Sequence, residues 1–159
     1  CHSALARIEK SGRLKAVITQ NIDGLHQAAG SQTVFELHGS VHRNYCMECE
    51  AFYPLEYMLH TSGIPRCEKC GGRVKPDVVL YEEGLDPAVI DGAVRAIRAA
   101  DVLIIGGTSL VVYPAAGLID YFRGRALVLI NKSQTSADSQ ANLVIHAPID
   151  QVLGTAVKA

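Results

Sequence analysis

Four cysteines in two pairs, Cys46-x2-Cys49 and Cys67-x2-Cys70, seventeen residues apart and followed by Gly71-Gly72, restrict this chain more than any other feature. Each CxxC is a tight turn that lets two sulfurs converge, and four thiolates at about 2.3 Å close a tetrahedron around Zn²⁺. Four protein ligands leave no position for water, so one structural Zn²⁺ is the expectation. A rubredoxin-like iron site uses the same ligands, and two redox dithiols fit the same spacing. Residues 41–76, polar, turn-rich and weakly periodic, read as one small module around these sulfurs. Cys1 is left over as an ordinary thiol. An odd cysteine count argues against a secreted disulfide framework and for a reducing compartment, so the expected location is cytoplasmic.

The flanking stretches, 1–40 and 77–159, have a different texture. Leu5 and Ile8 mark one face of an opening helix that stops at Gly12, and Leu14–Thr19 is an apolar, β-branched run predicted as a buried strand. Gly24–Gly30 reads as a short helix and Val34–Leu37 as a second short strand. Val78–Tyr81 resembles a strand. Asp86 and Pro87 then supply an N-cap and a first helical position for a helix running to Ala100. Asp101–Ile105 is a continuous apolar strand of the kind covered on both faces. A helix over 115–122, strands at 126–130 and 142–145, and a closing helix over 150–157 complete the pattern. Strands alternating with helices predict an α/β, doubly wound, Rossmann-like parallel sheet into which the cysteine module is inserted.

In such a sheet, ligands lie at the carboxyl ends of the strands. Three strand ends carry short polar side chains or glycine: Gln20–Asp23, Gly107–Ser109 and Asn131–Lys132. His38 follows the second short strand. A cluster of this kind alone is more often an ordinary turn than a site, but three along one edge point to a nucleotide site, although GxGxxG is absent. Bulk charge supplies no alternative partner. Fifteen basic and sixteen acidic residues give a formal charge of −1, so neither direct nucleic acid binding nor an anionic membrane is expected, and no apolar run approaches the roughly 20 residues of a membrane span.

Thr19-Gln20-Asn21-Ile22-Asp23-Gly24-Leu25-His26, then Glu36-Leu37-His38-Gly39, the paired CxxC, Gly107-Thr108-Ser109-Leu110 and Leu129-Ile130-Asn131-Lys132 resemble, in that order, the bacterial-type sirtuins, NAD-dependent protein-lysine deacylases. The resemblance implies transfer of an acyl group from lysine to the ADP-ribose of NAD⁺. The acyl oxygen would attack the ribose carbon bearing nicotinamide, release nicotinamide and form an alkylamidate. It makes His38 the general base on a ribose hydroxyl, with Asn21 and Asp23 also catalytic. Asn21, Ile22 and Asp23 would surround nicotinamide and its ribose, Gln20 would meet the ribose hydroxyls, and Gly107, Thr108, Ser109, Asn131 and Lys132 would hold the adenosine side. An acyl-lysine protein or peptide would lie as an added strand between Val79-Leu80-Tyr81-Glu82 and Val111-Val112-Tyr113. Tyr81 and Glu82 stand where the family more usually has phenylalanine and glycine. For Val79 and Tyr81, plain core packing is an equal alternative.

Cys1 opens in what reads as mid-helix. The expectation is therefore an N-terminally truncated chain, lacking the family's first strand, its glycine-rich phosphate-binding turn and a mobile cofactor loop. Without a cradle for the diphosphate, such a piece alone is expected not to deacylate efficiently. Two other readings compete: a non-catalytic zinc-containing protein-interaction module, and a hydride-transferring nicotinamide enzyme.

Overall fold

The computed structural model describes residues 1–157. Helix α1 (His2–Lys10) ends in a tight exit, where the backbone N–H groups of Arg13 and Leu14 both donate to the Ile8 carbonyl. That turn consumes residues expected in the first strand, so β1 spans only Val17–Thr19 rather than starting at Leu14. After α2 (Leu25–Ala28), β2 (Val34–Glu36) pairs with β1 in parallel. β3 (Gly39–Cys46), β4 (Phe52–Tyr53), α3 (Leu55–His60) and β5 (Val74–Val78) follow. Here β3 is the centre of an antiparallel sheet in the order β4-β3-β5. The remainder is α4 (Pro87–Ala99), β6 (Val102–Gly106), a 3₁₀ helix over Ala115–Tyr121, β7 (Ala126–Ile130), a 3₁₀ turn over Asp138–Gln140, β8 (Leu143–Ile145) and α5 (Ile149–Ala156).

The parallel layer comes in two pieces, β1-β2 and β6-β7-β8, with no ladder between them among the described residues. One helical layer serves both. Ile18 of β1, Phe35 of β2 and Leu103 of β6 pack on a core formed by Leu37, Ala93 and Ile97 with Ala115 and Leu118. On the other face, α1 and α5 cover Val128, Ile130 and Ile145 through Ala4, Leu5 and Leu153. Helices on both faces of parallel strands are the doubly wound arrangement. Asp86 caps α4 as predicted, its carboxylate accepting from the Ala88 N–H at 2.8 Å.

Three further expectations change. The segment Val78–Tyr81 is not a strand. Pairing with β3 ends at Val78, after which Glu83 accepts from the Leu80 N–H at 2.8 Å and returns its own N–H to the Leu80 carbonyl, making a turn. Strand β6 is not covered on both faces. Ile104, which pairs with Val128 and so shares its face, is 47% exposed, and Val102 is 40% exposed, because the α1/α5 layer stops over β7 and β8. The helix expected over 115–122 is 3₁₀ rather than α.

Two devices join the parallel layer to the antiparallel sheet. Arg43 reaches Glu36 of β2 at 2.7 Å and Asp77 of β5 at 2.8 Å, and these two carboxylates hold the guanidinium firmly charged against the cost of its burial. Gly39 has φ +75°, and a Cβ there would lie 1.9 Å from the Asp77 carbonyl oxygen, so both conformation and space demand glycine. Gly39→Ala should lower stability by at least about 2 kcal/mol, roughly 4–8 °C in thermal midpoint, and thermal unfolding followed by circular dichroism measures this directly.

Candidate functional site

The first polar strand end folds back on itself. The Asn21 N–H donates to Thr19 Oγ1 at 3.1 Å, Asn21 Nδ2 to Asp23 Oδ2 at 3.3 Å, and the Leu25 N–H to Asp23 Oδ1 at 3.0 Å. β3 clamps this loop from outside. The Val41 N–H donates to the Ile22 carbonyl at 3.0 Å, and His42 Nε2 meets the Asp23 carbonyl at 3.1 Å. Gly24 has φ +67°, and its missing Cβ is where the His42 ring sits, 2.7 Å away. Sequence reading did not find His42. Its position three residues beyond Gly39, on a strand adjoining the loop, was the available signal.

His38 is half-buried, and its Nδ1 lies 3.0 Å from the Gln20 carbonyl. A carbonyl only accepts, so Nδ1 is the donor of this contact, and in the neutral ring the lone pair is then on Nε2. Gln20, expected to meet the ribose hydroxyls, makes this contact with His38 through its main chain. His38 and the Gln20–Asp23 loop therefore form one unit.

A second unit surrounds the other two strand ends. Gly107, Thr108, Ser109, Asn131 and Lys132 line one open cavity of about 520 Å³, together with Ser133, Gln134, Pro148, Ile149 and Asp150. The carboxyl ends of parallel β6 and β7 bring these groups together, and the Gly107 N–H donates to the Ile130 carbonyl at 3.2 Å. The start of α5 was missed, although Asp150 after β8 obeys the same strand-end rule. His38, Asn21, Ile22 and Asp23 do not line this cavity. Of the segments expected to meet a peptide, Val79 is partly buried and donates its N–H to the His38 carbonyl at 3.1 Å. Tyr81 is 100% exposed, which overturns core packing for it, and Glu82 adopts φ +70°. Leu80, Val111, Val112 and Tyr113 are also exposed.

The four cysteines converge: their sulfurs lie within 4.8 Å of one another, with Cys46–Cys70 at 3.4 Å, Cys49–Cys67 at 3.5 Å and Cys49–Cys70 at 3.4 Å. A tetrahedron with arms of about 2.3 Å has edges of roughly 3.8 Å, so spacing and donor set fit a tetrathiolate metal. All five cysteines are free of disulfides, which disfavours two oxidised dithiols. A hydrogen bond from Tyr53 draws the Cys67 thiol down to about 6, favouring the thiolate a metal needs.

Cys46→Ser or Cys67→Ser should remove the bound metal and unfold the module, as measured by metal analysis and circular dichroism. A second outcome follows from His26, buried beside the His2 ring at 4.6 Å, with Nδ1 unpartnered. Burial foremost, then His2, depresses its pKa below 6.5. The unfolded chain then binds the proton more readily than the fold, so stability falls as pH drops below 6.5. The urea midpoint should show that acid loss, and His26→Gln should flatten it.

Comparison with known proteins agrees with this geometry. The family model described as Sir2 family matches residues 1–114. An NAD-dependent protein deacetylase of Clostridium perfringens (strain 13 / Type A) is 66% identical over 157 residues, covering 98% of this chain and 64% of that protein. The chain therefore spans somewhat under two thirds of that relative's length. Two solved structures superpose closely: Sir2 bound to acetylated peptide, with TM-score 0.91, 38% identity, and coverage of 97% of this chain and 67% of that one, and a Sir2-p53 peptide-NAD⁺ complex, with TM-score 0.90, 39% identity, and coverage of 97% and 66%. From the strand-end loops to the cysteine cluster, this chain belongs to the Sir2 family.

Proposed function

We propose that this chain forms most of an NAD-dependent protein-lysine deacylase, in which an acyl-lysine protein or peptide gives its acyl group to ADP-ribose as nicotinamide leaves. The observation that carries the reading is the 3.0 Å contact between His38 Nδ1 and the Gln20 carbonyl. With Nδ1–H committed to the Gln20 carbonyl, Nε2 is the ring nitrogen left to take a proton from a sugar hydroxyl. NAD⁺ supplies the reaction with a ribose carbon whose bond to nicotinamide can be broken. The chain's own groups do the rest. Asn21 and Asp23, hydrogen-bonded to each other in a loop that β3 clamps at Ile22, would present amide and carboxylate to nicotinamide and its ribose, with Ile22 between them. Gln20 stands next to both. Gly107, Thr108, Ser109, Asn131 and Lys132 line a cavity that would take the adenosine half.

The segments Val79–Glu82 and Val111–Val112 would take the peptide, a reading supported by the exposed apolar side chains of Leu80, Tyr81, Val111 and Val112. The module of residues 41–76 holds one Zn²⁺ away from the reaction, because four thiolates leave no open position. Free thiols and a formal charge of −1 support a cytoplasmic protein acting on proteins rather than on nucleic acid or membrane. Among the described residues no helix is long and apolar enough to cross a membrane.

A purely protein-binding role draws some support from Met47, Phe52, Leu59 and Ile64, all exposed on the cysteine module. One experiment separates the two roles. In a protein of the relatives' full length carrying this sequence, His38→Ala should lower NAD-dependent deacetylation by roughly 100-fold or more, with metal content and thermal midpoint unchanged. Nicotinamide should be the released product, with no absorbance of reduced cofactor. Equal activity in the variant would overturn the catalytic reading.

A further inference from the structure

Tyr53, the last residue of β4, turns its ring inward and is only 6% exposed, packed with Ala51, Val74 and the sulfurs of Cys46 and Cys67. A buried phenol needs a partner for its hydroxyl. Here the hydroxyl has two, with opposite roles. It accepts from the Glu68 backbone N–H at 2.8 Å and donates to Cys67 Sγ at 3.2 Å. The Tyr57 ring, 4.4 Å away, and the Asn44 side chain, donating to the Tyr53 carbonyl at 3.2 Å, keep the residue in place. A one-way chain results, from Glu68 N–H through Tyr53 O–H to sulfur, in which each bond polarises the next. Among the described residues, Cys67 is the one sulfur that receives a hydroxyl hydrogen bond. Cys46 receives a longer one, at 3.4 Å, from the Glu48 N–H of its own CxxC turn.

We propose that Tyr53 is an outer-sphere residue of the metal centre, whose hydroxyl withdraws electron density from the Cys67 thiolate and thereby sets how tightly the ion is held. The proposal rests on reading the four cysteines as a metal site. Four thiolates around a divalent ion carry excess negative charge in a buried place, and a donor aimed at one sulfur spreads that charge and fixes the ligand's orientation. Removing the hydroxyl also leaves the Glu68 N–H without its acceptor.

The test compares wild type, Tyr53→Phe and Tyr57→Phe, each loaded with Zn²⁺ and challenged with a chromogenic chelator. Tyr57 is the matched control, because its hydroxyl donates to the Arg66 carbonyl and not to sulfur. Tyr53→Phe should bind Zn²⁺ roughly 10- to 100-fold more weakly, and Tyr57→Phe as wild type does. In the Co²⁺-loaded protein, the sulfur-to-cobalt charge-transfer band of Tyr53→Phe should move to lower energy, a signature that loss of packing alone would not give. If Tyr53→Phe does not fold, 3-fluorotyrosine in place of Tyr53 supplies a stronger donor of almost the same size and should slow metal release. Unchanged affinity and an unmoved band in Tyr53→Phe, or release from the fluorinated protein no slower than from wild type, would overturn the role of Tyr53 while leaving the metal site standing. Wild type that binds no Zn²⁺ would overturn both.

Discussion

The close approach of two backbones at Gly39 and Asp77 is the constraint on which most of this architecture depends. β3 begins there, immediately after His38, and runs out of the parallel layer into the antiparallel sheet, while β5 returns beside it. Because no side chain intervenes, the start of β3 can donate to the Ile22 carbonyl on one side and pair with β5 on the other. Arg43 adds charge to the same junction, tying β2 to β5 through two carboxylates. The half-buried Glu36–Arg43 contact matters more than an exposed pair would, since removing Arg43 strands the buried Glu36 carboxylate away from water.

The division of labour between the halves follows from this junction. Everything between β3 and β5 is a compact antiparallel unit whose core consists largely of cysteine and tyrosine, too small to hold itself by apolar burial alone. Cross-linking by a metal is the physical remedy such a unit uses. Everything outside it is layered α/β structure with an ordinary aliphatic core. His38 sits where one regime gives way to the other, so its orientation is fixed by both.

Much of this was legible in the sequence, for identifiable reasons. The cysteine spacing encodes convergence directly, and the sulfurs converge. Asp86-Pro87 encodes a helix start through a local hydrogen bond, and that bond forms. The strands at 102–106 and 126–130 were visible because each is a continuous apolar run, although 102–106 is covered on one face only, and their polar ends meet at one cavity as strand-end logic requires. What could not be read was decided by partners distant in the chain. Val78–Tyr81 has strand composition but loses its ladder at Val78, where Glu83 captures the next free N–H. Leu14 looks like strand and is spent closing a helix. The exposure of Val102 and Ile104 reflects how far the α1/α5 layer extends, a property of packing with no local mark. Tyr53 and His42 matter only through neighbours brought to them by strand pairing.

The partner of His38 Nδ1 has one more consequence. Many histidines that must keep one tautomer rely on the carboxylate of another residue, and a single substitution there removes the support. In this chain the support is the peptide carbonyl of position 20, which all twenty amino acids possess. The proton's address on the imidazole is consequently written in the backbone, out of reach of drift at that position so long as the β1 terminus keeps its path.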